Sequence, residues 1–196
     1  MPFDYFQLDR KDDLTILRLT SPDGTNRLSR ASATALTAAI EELARDRQPL
    51  IITGNQKFFS AGADLNEIAA LGPDAFEFAR MGQRLMQLID DFPAPVCAAV
   101  YGYCMGGGLD LALACDFRIA HPHAVFGHRG AALGLITGWG GTQRLPRLIG
   151  KAKALEMFVA AEKVVAKRAQ EIGLVDAIAD DPVRKAKMQL VGSAFS

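Results

Sequence analysis

Short apolar runs alternate with longer segments of helical periodicity along this chain. Residues 50–53, 96–100 and 117–120 have the length and the apolar character of buried strands. Residues 32–45 and 76–89 repeat apolar side chains at the spacing of a helix. Because strands that alternate with helices are typical of layered packing, the chain is predicted to fold as an α/β protein.

Both ends of the chain extend this pattern. Residues 5–10 and 14–19 are predicted to form a β-hairpin around a short charged segment. The remaining predicted elements are helices at 109–115, from 141 through Ala161, at 166–172 and at 183–191, and a strand at 174–179. No repeat of fixed period and no low-complexity linker divides the sequence, so one domain over residues 1–196 is predicted.

Charge and cysteine content exclude several classes of function. The chain has 22 Lys and Arg against 22 Asp and Glu, so it has no net charge to concentrate nucleic acid or acidic lipid. No apolar run approaches the length of a membrane span, and the charged residues near the N-terminus leave no apolar core of a secretory signal there. The three cysteines, Cys97, Cys104 and Cys115, contain no CxxC pair, which argues against a disulfide framework or a zinc ribbon. We expect a reduced cytoplasmic protein that binds no metal, nucleic acid or membrane.

Two turns from strand to helix are rich in small residues. Residues 101–110 (YGYCMGGGLD) follow one predicted strand, and residues 58–65 (FFSAGADL) follow another. Free backbone N–H groups at such turns can bind a phosphate or stabilise an oxyanion, whereas the glycines alone also suit close helix–strand packing. Neither a GxGxxG fingerprint nor a P-loop is present. Each turn can aim one N–H at a shared carbonyl oxygen.

Four segments in this order and at this spacing resemble the enoyl-CoA hydratase/isomerase (crotonase) superfamily. They are residues 59–65, 102–110, 115–120 and 140–146, and residues 173–176 match a later junction of that family. The likeness runs from about Leu14 to Ala179. It implies a crotonase-like spiral of ββα units that binds acyl-coenzyme A thioesters. No separate cofactor is implied, because coenzyme A enters as part of the substrate.

The resemblance also implies a role for individual residues. The backbone amides of Ala63 and Gly107 would hold the thioester oxygen and stabilise an enolate. Asp110 follows Gly107 by three residues, nearly one helical turn, and would transfer the proton. The other residues implied to contact substrate are Asn26, Arg27, Leu28, Ala61, Gly62, Asp64, Leu65, Asn66, Gly106, Gly130 and Trp139. Of these, residues 26–28 would lie near the adenine, and Trp139 is either a wall of the acyl pocket or a core residue.

Two positions depart from the family's hydratases, which use two glutamates. Asp110 stands at the first and is one methylene shorter, and Gly130 stands at the second and carries no acid. His128, whose unperturbed pKa is near neutral, lies two positions before Gly130 and is a candidate for the missing proton carrier, or else an ordinary loop histidine. Hydration is the default hypothesis for the reaction. Isomerisation, decarboxylation, hydrolysis and CoA-ester binding without turnover remain alternatives.

Two further expectations concern Cys104 and assembly. Cys104 lies at the start of the second turn, where a helix N-terminus can activate a thiolate for acyl transfer, although a small buried residue is also common there. Family members continue beyond residues 173–176 with helices that complete trimers. This sequence has one more predicted helix before Ser196, so we expect either a fragment of a longer chain or a variant with a shortened C-terminal helical region. Apolar surface left exposed there would favour a homo-oligomer, either a trimer or a dimer of trimers.

Overall fold

The described residues of the computed structural model, 5–11, 13–70 and 72–192, form a layered α/β structure. The strands are β1 (Phe6–Arg10), β2 (Thr15–Leu19), β3 (Arg27–Leu28), β4 (Leu50–Thr53), β5 (Phe58–Ser60), β6 (Gly62–Ala63), β7 (Val96–Val100), β8 (Tyr103–Met105), β9 (Phe117–Ala120), β10 (Val125–Gly127), β11 (Val164–Val165) and β12 (Ala177–Ile178). The helices are α1 (Arg30–Leu43), α2 (Leu65–Ala70), α3 (Ala75–Asp90), α4 (Gly107–Ala114), α5 (Gly141–Ile149), α6 (Lys151–Ala160), α7 (Ala166–Glu171) and α8 (Pro182–Gly192).

A six-stranded sheet, in the order β1-β2-β4-β7-β9-β12, forms the centre of the fold. The predicted hairpin is confirmed, because β1 and β2 pair antiparallel from Phe6 opposite Leu19 to Arg10 opposite Thr15. Each later neighbour in the sheet pairs parallel, which requires a crossover connection between strands. The apolar runs predicted as strands at 50–53, 96–100 and 117–120 are β4, β7 and β9.

Helices cover both faces of this sheet. Leu17 and Ile52 point to one face and pack in the main core with side chains of α1, α3 and α4. Ile16 and Ile51, one position away on the same strands, point to the other face and pack with Leu190 of α8. Side chains of a strand alternate between the two faces, so strands covered on both sides are continuously apolar.

A second, four-stranded sheet in the order β11-β10-β8-β5 was not predicted from the sequence. The sequence indicated a strand running directly into the glycines, whereas the chain bends at Gly102 and forms β8 before α4 begins. Gly102 has φ of +56°, and a Cβ atom there would lie 2.1 Å from the carbonyl oxygen of Lys57. A glycine therefore permits the bend that brings β8 beside β5.

The C-terminal half differs from prediction in two boundaries. The predicted helix through Ala161 is divided into α5 and α6 at Gly150, whose φ is +86°. Of the strand predicted at 174–179, only β12 forms. Leu174 and Val175 lie before it in the turn that follows α7, where their side chains are buried. The buried Arg118 of β9 holds this turn, because its Nε donates to the carbonyl oxygen of Leu174 at 3.0 Å.

The surface of α6 carries exposed apolar side chains. Leu155 and Val159 are 63% and 69% exposed. This is the kind of surface from which self-association was expected, and the homo-oligomer stays a prediction. Among the described residues, no helix is both long enough and apolar enough to cross a lipid bilayer.

Candidate active site

The two glycine-containing turns meet at the N-terminus of α4. Gly62 has φ of +92°, and a Cβ atom placed on it would lie 2.5 Å from the carbonyl oxygen of Met105 and 3.0 Å from the nitrogen of Gly107. A Cβ atom on Gly107 would lie 3.3 Å from the nitrogen of Ala63. The absence of both side chains therefore allows the Ala63 and Gly107 backbones to approach each other closely.

The backbone amides of Ala63 and Gly107 lie at the contact between the two turns. Gly107 is the first residue of α4, and the first amides of a helix have no acceptor in the helix. The amide of Asp64 donates to the carbonyl oxygen of Leu28 on β3. The nitrogen of Ala63 lies close to the start of α4, since a Cβ atom on Gly107 would lie 3.3 Å from it. This arrangement is suited to two donors that share one acceptor.

Asp110 lies in the first turn of α4 and is 1% exposed. Its Oδ2 accepts a hydrogen bond from the hydroxyl of Thr137, and its Oδ1 lies 3.3 Å from Nε2 of His128. Burial raises the pKa of Asp110 to about 7, although the Thr137 hydrogen bond and the charge of Arg144 lower it. A carboxyl group with this pKa can both accept and release a proton near neutral pH.

His128 follows β10 and is 4% exposed. Burial lowers the pKa of its imidazole to about 4, so the ring is neutral at pH 7. Neither His128 Nε2 nor Asp110 Oδ1 has a hydrogen-bond partner among the residues that the structure describes. Buried polar atoms are normally paired, so two adjacent unpaired atoms are an unusual feature of this part of the pocket wall.

A pocket of about 550 Å³ contains this pair and both turns. The predicted residues that line it are Ala61, Ala63 and Leu65 from the first turn, Gly106, Gly107 and Asp110 from the second, and also His128, Gly130 and Trp139. The rest of its wall is largely apolar, and the exposed side chains of Arg129 and Lys163 also reach it. The structure thus brings the residues predicted for chemistry into one cavity.

Six residues predicted to contact substrate lie outside the lining of this pocket: Asn26, Arg27, Leu28, Gly62, Asp64 and Asn66. The Asn26 side chain donates to the carbonyl oxygens of Phe58 and Phe59, and that of Leu28 is buried in the core. The Asp64 carboxylate accepts from the amide of Asn66 at the start of α2. These side chains support the first turn, and a contact of residues 26–28 with adenine stays a prediction.

Trp139 forms part of the pocket wall next to Gly107. Its indole is 4% exposed, and a Cβ atom on Gly107 would lie 2.9 Å from the indole Cε3. On its other side the indole packs against α3, where a Cβ atom on Gly82 would lie 2.1 Å from the ring. Trp139 therefore fills a space that two glycines leave free, so it is both a pocket wall and a core residue.

We expect Gly82→Ala to displace the indole of Trp139, since the new methyl group would overlap it. Overpacking of this kind costs about 1–3 kcal/mol of unfolding free energy. Trp139 is the one tryptophan of the sequence, so its fluorescence reports the displacement directly. Gly138→Ala is the control, because its Cβ atom would make an ordinary 3.8 Å contact with Ala79. An unchanged spectrum and stability in Gly82→Ala would contradict the packing described.

Gly130 begins a 3-10 turn at the rim of the pocket, Ala131–Leu133. A Cβ atom on Gly130 would lie 2.5 Å from the carbonyl oxygen of Leu135. The loop is thus folded against the position at which a side chain would begin. Gly130 itself supplies no second carboxylate to the pocket. An acid in its place would require the loop to move.

The thiol of Cys104 is an unsuitable nucleophile in this structure. The residue is 0% exposed, and its Sγ donates to the carbonyl oxygen of Gly108. Burial raises the pKa of the thiol well above its ordinary value, the opposite of the lowered pKa considered from the sequence. Cys104 packs in the core beneath the second turn.

Sequence reasoning missed Thr137, which contacts Asp110 directly. It lies 27 residues after Asp110 in a loop without periodicity, and no local pattern links the two. The available signal was its place in a further glycine-rich segment, residues 134–141, which also supplies Trp139.

Comparison with known proteins shows which family the chain belongs to. The family described as enoyl-CoA hydratase/isomerase matches residues 9–192. The chain belongs to the enoyl-CoA hydratase/isomerase family. It is 40% identical over 181 residues to a probable enoyl-CoA hydratase of Bacillus subtilis, with 89% of this chain and 70% of that protein covered. It is 38% identical over 182 residues to a crotonyl-CoA hydratase of Syntrophomonas wolfei, with 91% and 70% covered.

Solved structures support the same family and confirm the crotonase-like fold. DspI of Pseudomonas aeruginosa superposes with a TM-score of 0.93 at 36% identity, covering 99% of this chain and 82% of that one. An enoyl-CoA hydratase from Bacillus anthracis superposes with a TM-score of 0.88 at 34% identity, covering 98% and 76%. The chain is therefore an enzyme of the hydratase/isomerase type.

Proposed function

We propose that this enzyme transfers a proton at the α-carbon of an acyl-CoA thioester, with the thioester oxygen held between the amides of Ala63 and Gly107. The observation that carries the proposal is the position of Asp110, which shares one pocket with both amides. Hydrogen bonds to the oxygen stabilise the enolate that forms when the α-carbon gains negative charge. The proposed substrate is an enoyl-CoA, with coenzyme A as part of it.

Hydration of a 2-enoyl-CoA is the first form of this proposal. In this form a water molecule in the pocket reaches the carboxyl of Asp110, which lines the pocket beside His128. Ionised Asp110 takes a proton from this water while its oxygen bonds to the β-carbon, and the electrons of the double bond move to the thioester oxygen. The protonated carboxyl then returns its proton to the α-carbon, and the net change is the addition of one water.

Isomerisation is the second form, and Gly130 favours it. Without a carboxylate at position 130, Asp110 is the carboxylate that lines the pocket. A single base is sufficient to remove a proton from the α-carbon of a 3-enoyl-CoA and return it to the γ-carbon, which shifts the double bond. The amides of Ala63 and Gly107 would stabilise the same dienolate oxygen in this reaction.

The two forms give absorbance changes of opposite sign. Hydration of crotonyl-CoA removes a conjugated double bond and lowers the ultraviolet absorbance of the enoyl thioester. Isomerisation of a 3-enoyl-CoA creates conjugation and raises it. We expect turnover in at least one assay, and a binding titration with the same thioesters serves as the control. Binding of both thioesters without turnover of either would contradict the proposed activity and would indicate a CoA-ester binding protein.

A further inference from the structure

The carboxyl group of Asp110 is held from the opposite side of the pocket by a neutral side chain. Thr137 lies between the 3-10 turn Ala131–Leu133 and α5, and its hydroxyl donates to Oδ2 of Asp110. Oδ1 is left beside Nε2 of His128 and has no hydrogen-bond partner in the described part of the chain. One carboxylate oxygen is thus engaged by the Thr137 hydroxyl, and the other is buried between His128 and the start of α5.

We propose that Thr137 is a positioning residue for the acid/base: it fixes the orientation of the Asp110 carboxyl in the pocket, and it stabilises the ionised form. This inference rests on the function proposed above. The terminal torsion of an aspartate has a broad energy minimum, so a carboxyl without a partner rotates easily. A hydrogen bond to one oxygen fixes the orientation of both oxygens.

The start of α5 limits the carboxyl on its other side. A Cβ atom on Gly141 would lie 2.1 Å from Asp110 Oδ1, so the backbone of α5 approaches this oxygen closely. The Thr137 hydroxyl and the α5 backbone therefore confine the carboxyl from two directions. Thr137 and Gly141 both belong to the glycine-rich segment 134–141, which leads from the 3-10 turn into α5.

The proton affinity of Asp110 depends on a small set of groups. The titratable and charged groups that face it within the described residues are His128 after β10, Arg144 of α5 and Cys104 of β8. His128 and Cys104 are neutral at pH 7, since burial lowers the imidazole pKa and raises the thiol pKa. The Thr137 hydroxyl, Arg144 and the backbone amides of Trp139 and Gly141 therefore favour the carboxylate against desolvation.

The test compares Thr137→Ala with Thr137→Ser, which differ in the hydroxyl. The titration of the Asp110 carboxyl is followed by carbon-13 NMR, with Asp110→Asn to assign the signal, and the pH profile of kcat/KM is measured on the same enoyl-CoA. We expect Thr137→Ala to raise the midpoint of the carboxyl titration by about one to two pH units, because hydrogen bonds to charged groups are of that strength. At pH 7 we expect kcat to fall about tenfold or more with KM nearly unchanged.

Thr137→Ser should keep a midpoint close to that of the parent and most of its kcat. Thr34→Val is the control for loss of a threonine hydroxyl, because Thr34 lies exposed on α1, away from the pocket lining. An unshifted midpoint in Thr137→Ala, or equal shifts in Thr137→Ala and Thr137→Ser, would overturn the inference. If Thr137→Ala shifts the titration, Thr137→Ser does not, and the parent turns over no enoyl-CoA, then the positioning role of Thr137 is supported and the proposed function is wrong.

Discussion

Asp110→Asn is expected to lower kcat by about 10²–10⁴-fold while the dissociation constant for the CoA ester changes little. The amide of asparagine preserves the shape of the carboxyl, but it neither accepts nor releases a proton near neutral pH. Turnover is measured by the enoyl absorbance assay, and binding by calorimetry. Asp46→Asn is the matched control, since Asp46 is half exposed and pairs with Arg10 at the surface. Parent-like turnover in Asp110→Asn would remove Asp110 from the mechanism.

The same substitution has an expected effect on the pH dependence of stability. Asp110 has a pKa of about 7 in the folded state against 3.8 in the unfolded chain, so it makes the folded state less stable as pH rises between these values. His128, with a folded pKa of about 4 against 6.5, makes it more stable as pH rises from 4 to 6.5. In the parent the two slopes oppose each other. In Asp110→Asn, urea unfolding should show stability that rises more steeply across this window, and an unchanged slope would contradict the burial of the charge.

The second large effect is expected from Gly62→Ala, which introduces a methyl group between the two turns. Its Cβ atom would lie 2.5 Å from the carbonyl oxygen of Met105, at a backbone φ of +92°. The turns must separate, so the amides of Ala63 and Gly107 would lose the proposed shared contact with the thioester oxygen. We expect kcat/KM to fall about 10²–10³-fold, the effect of losing one oxyanion donor. Circular dichroism shows whether the fold is retained.

Gly173→Ala separates the cost of backbone strain from the loss of convergence. Gly173 has φ of +82°, and a Cβ atom there would meet no atom within 4 Å. An alanine at positive φ costs roughly 1–2 kcal/mol, so both variants lose stability from this cause. Gly173→Ala should nevertheless retain kcat/KM. Equal kcat/KM values in the two variants would show that the contact between the turns has no role in catalysis.

The central sheet was predictable because burial on both faces produces uninterrupted apolar runs. Residues 50–53, 96–100 and 117–120 carry that signal, and the structure has β4, β7 and β9 at these positions. The second sheet was not predictable, since β5, β8 and β10 are three residues long and give no measurable period. A parallel pair such as β5 and β8 is also distant in sequence, so no hairpin turn indicates it.

The candidate site was predictable where the family resemblance placed a residue and not where contacts are nonlocal. Ala63, Gly107 and Asp110 followed from the two turn motifs, and the structure places them in one pocket. The environment of Asp110 was not predictable, because Thr137 reaches it from a loop whose position depends on tertiary packing. The pKa of His128 illustrates the same limit, since burial, which a sequence does not show, lowers it to about 4.

The most direct measurement is a crystal structure of the enzyme with an acyl-CoA thioester bound. We expect the thioester oxygen to lie about 2.7–3.1 Å from the backbone nitrogens of both Ala63 and Gly107, with the carboxyl of Asp110 near the α-carbon. A thioester oxygen bound elsewhere, or contacted by neither nitrogen, would contradict it.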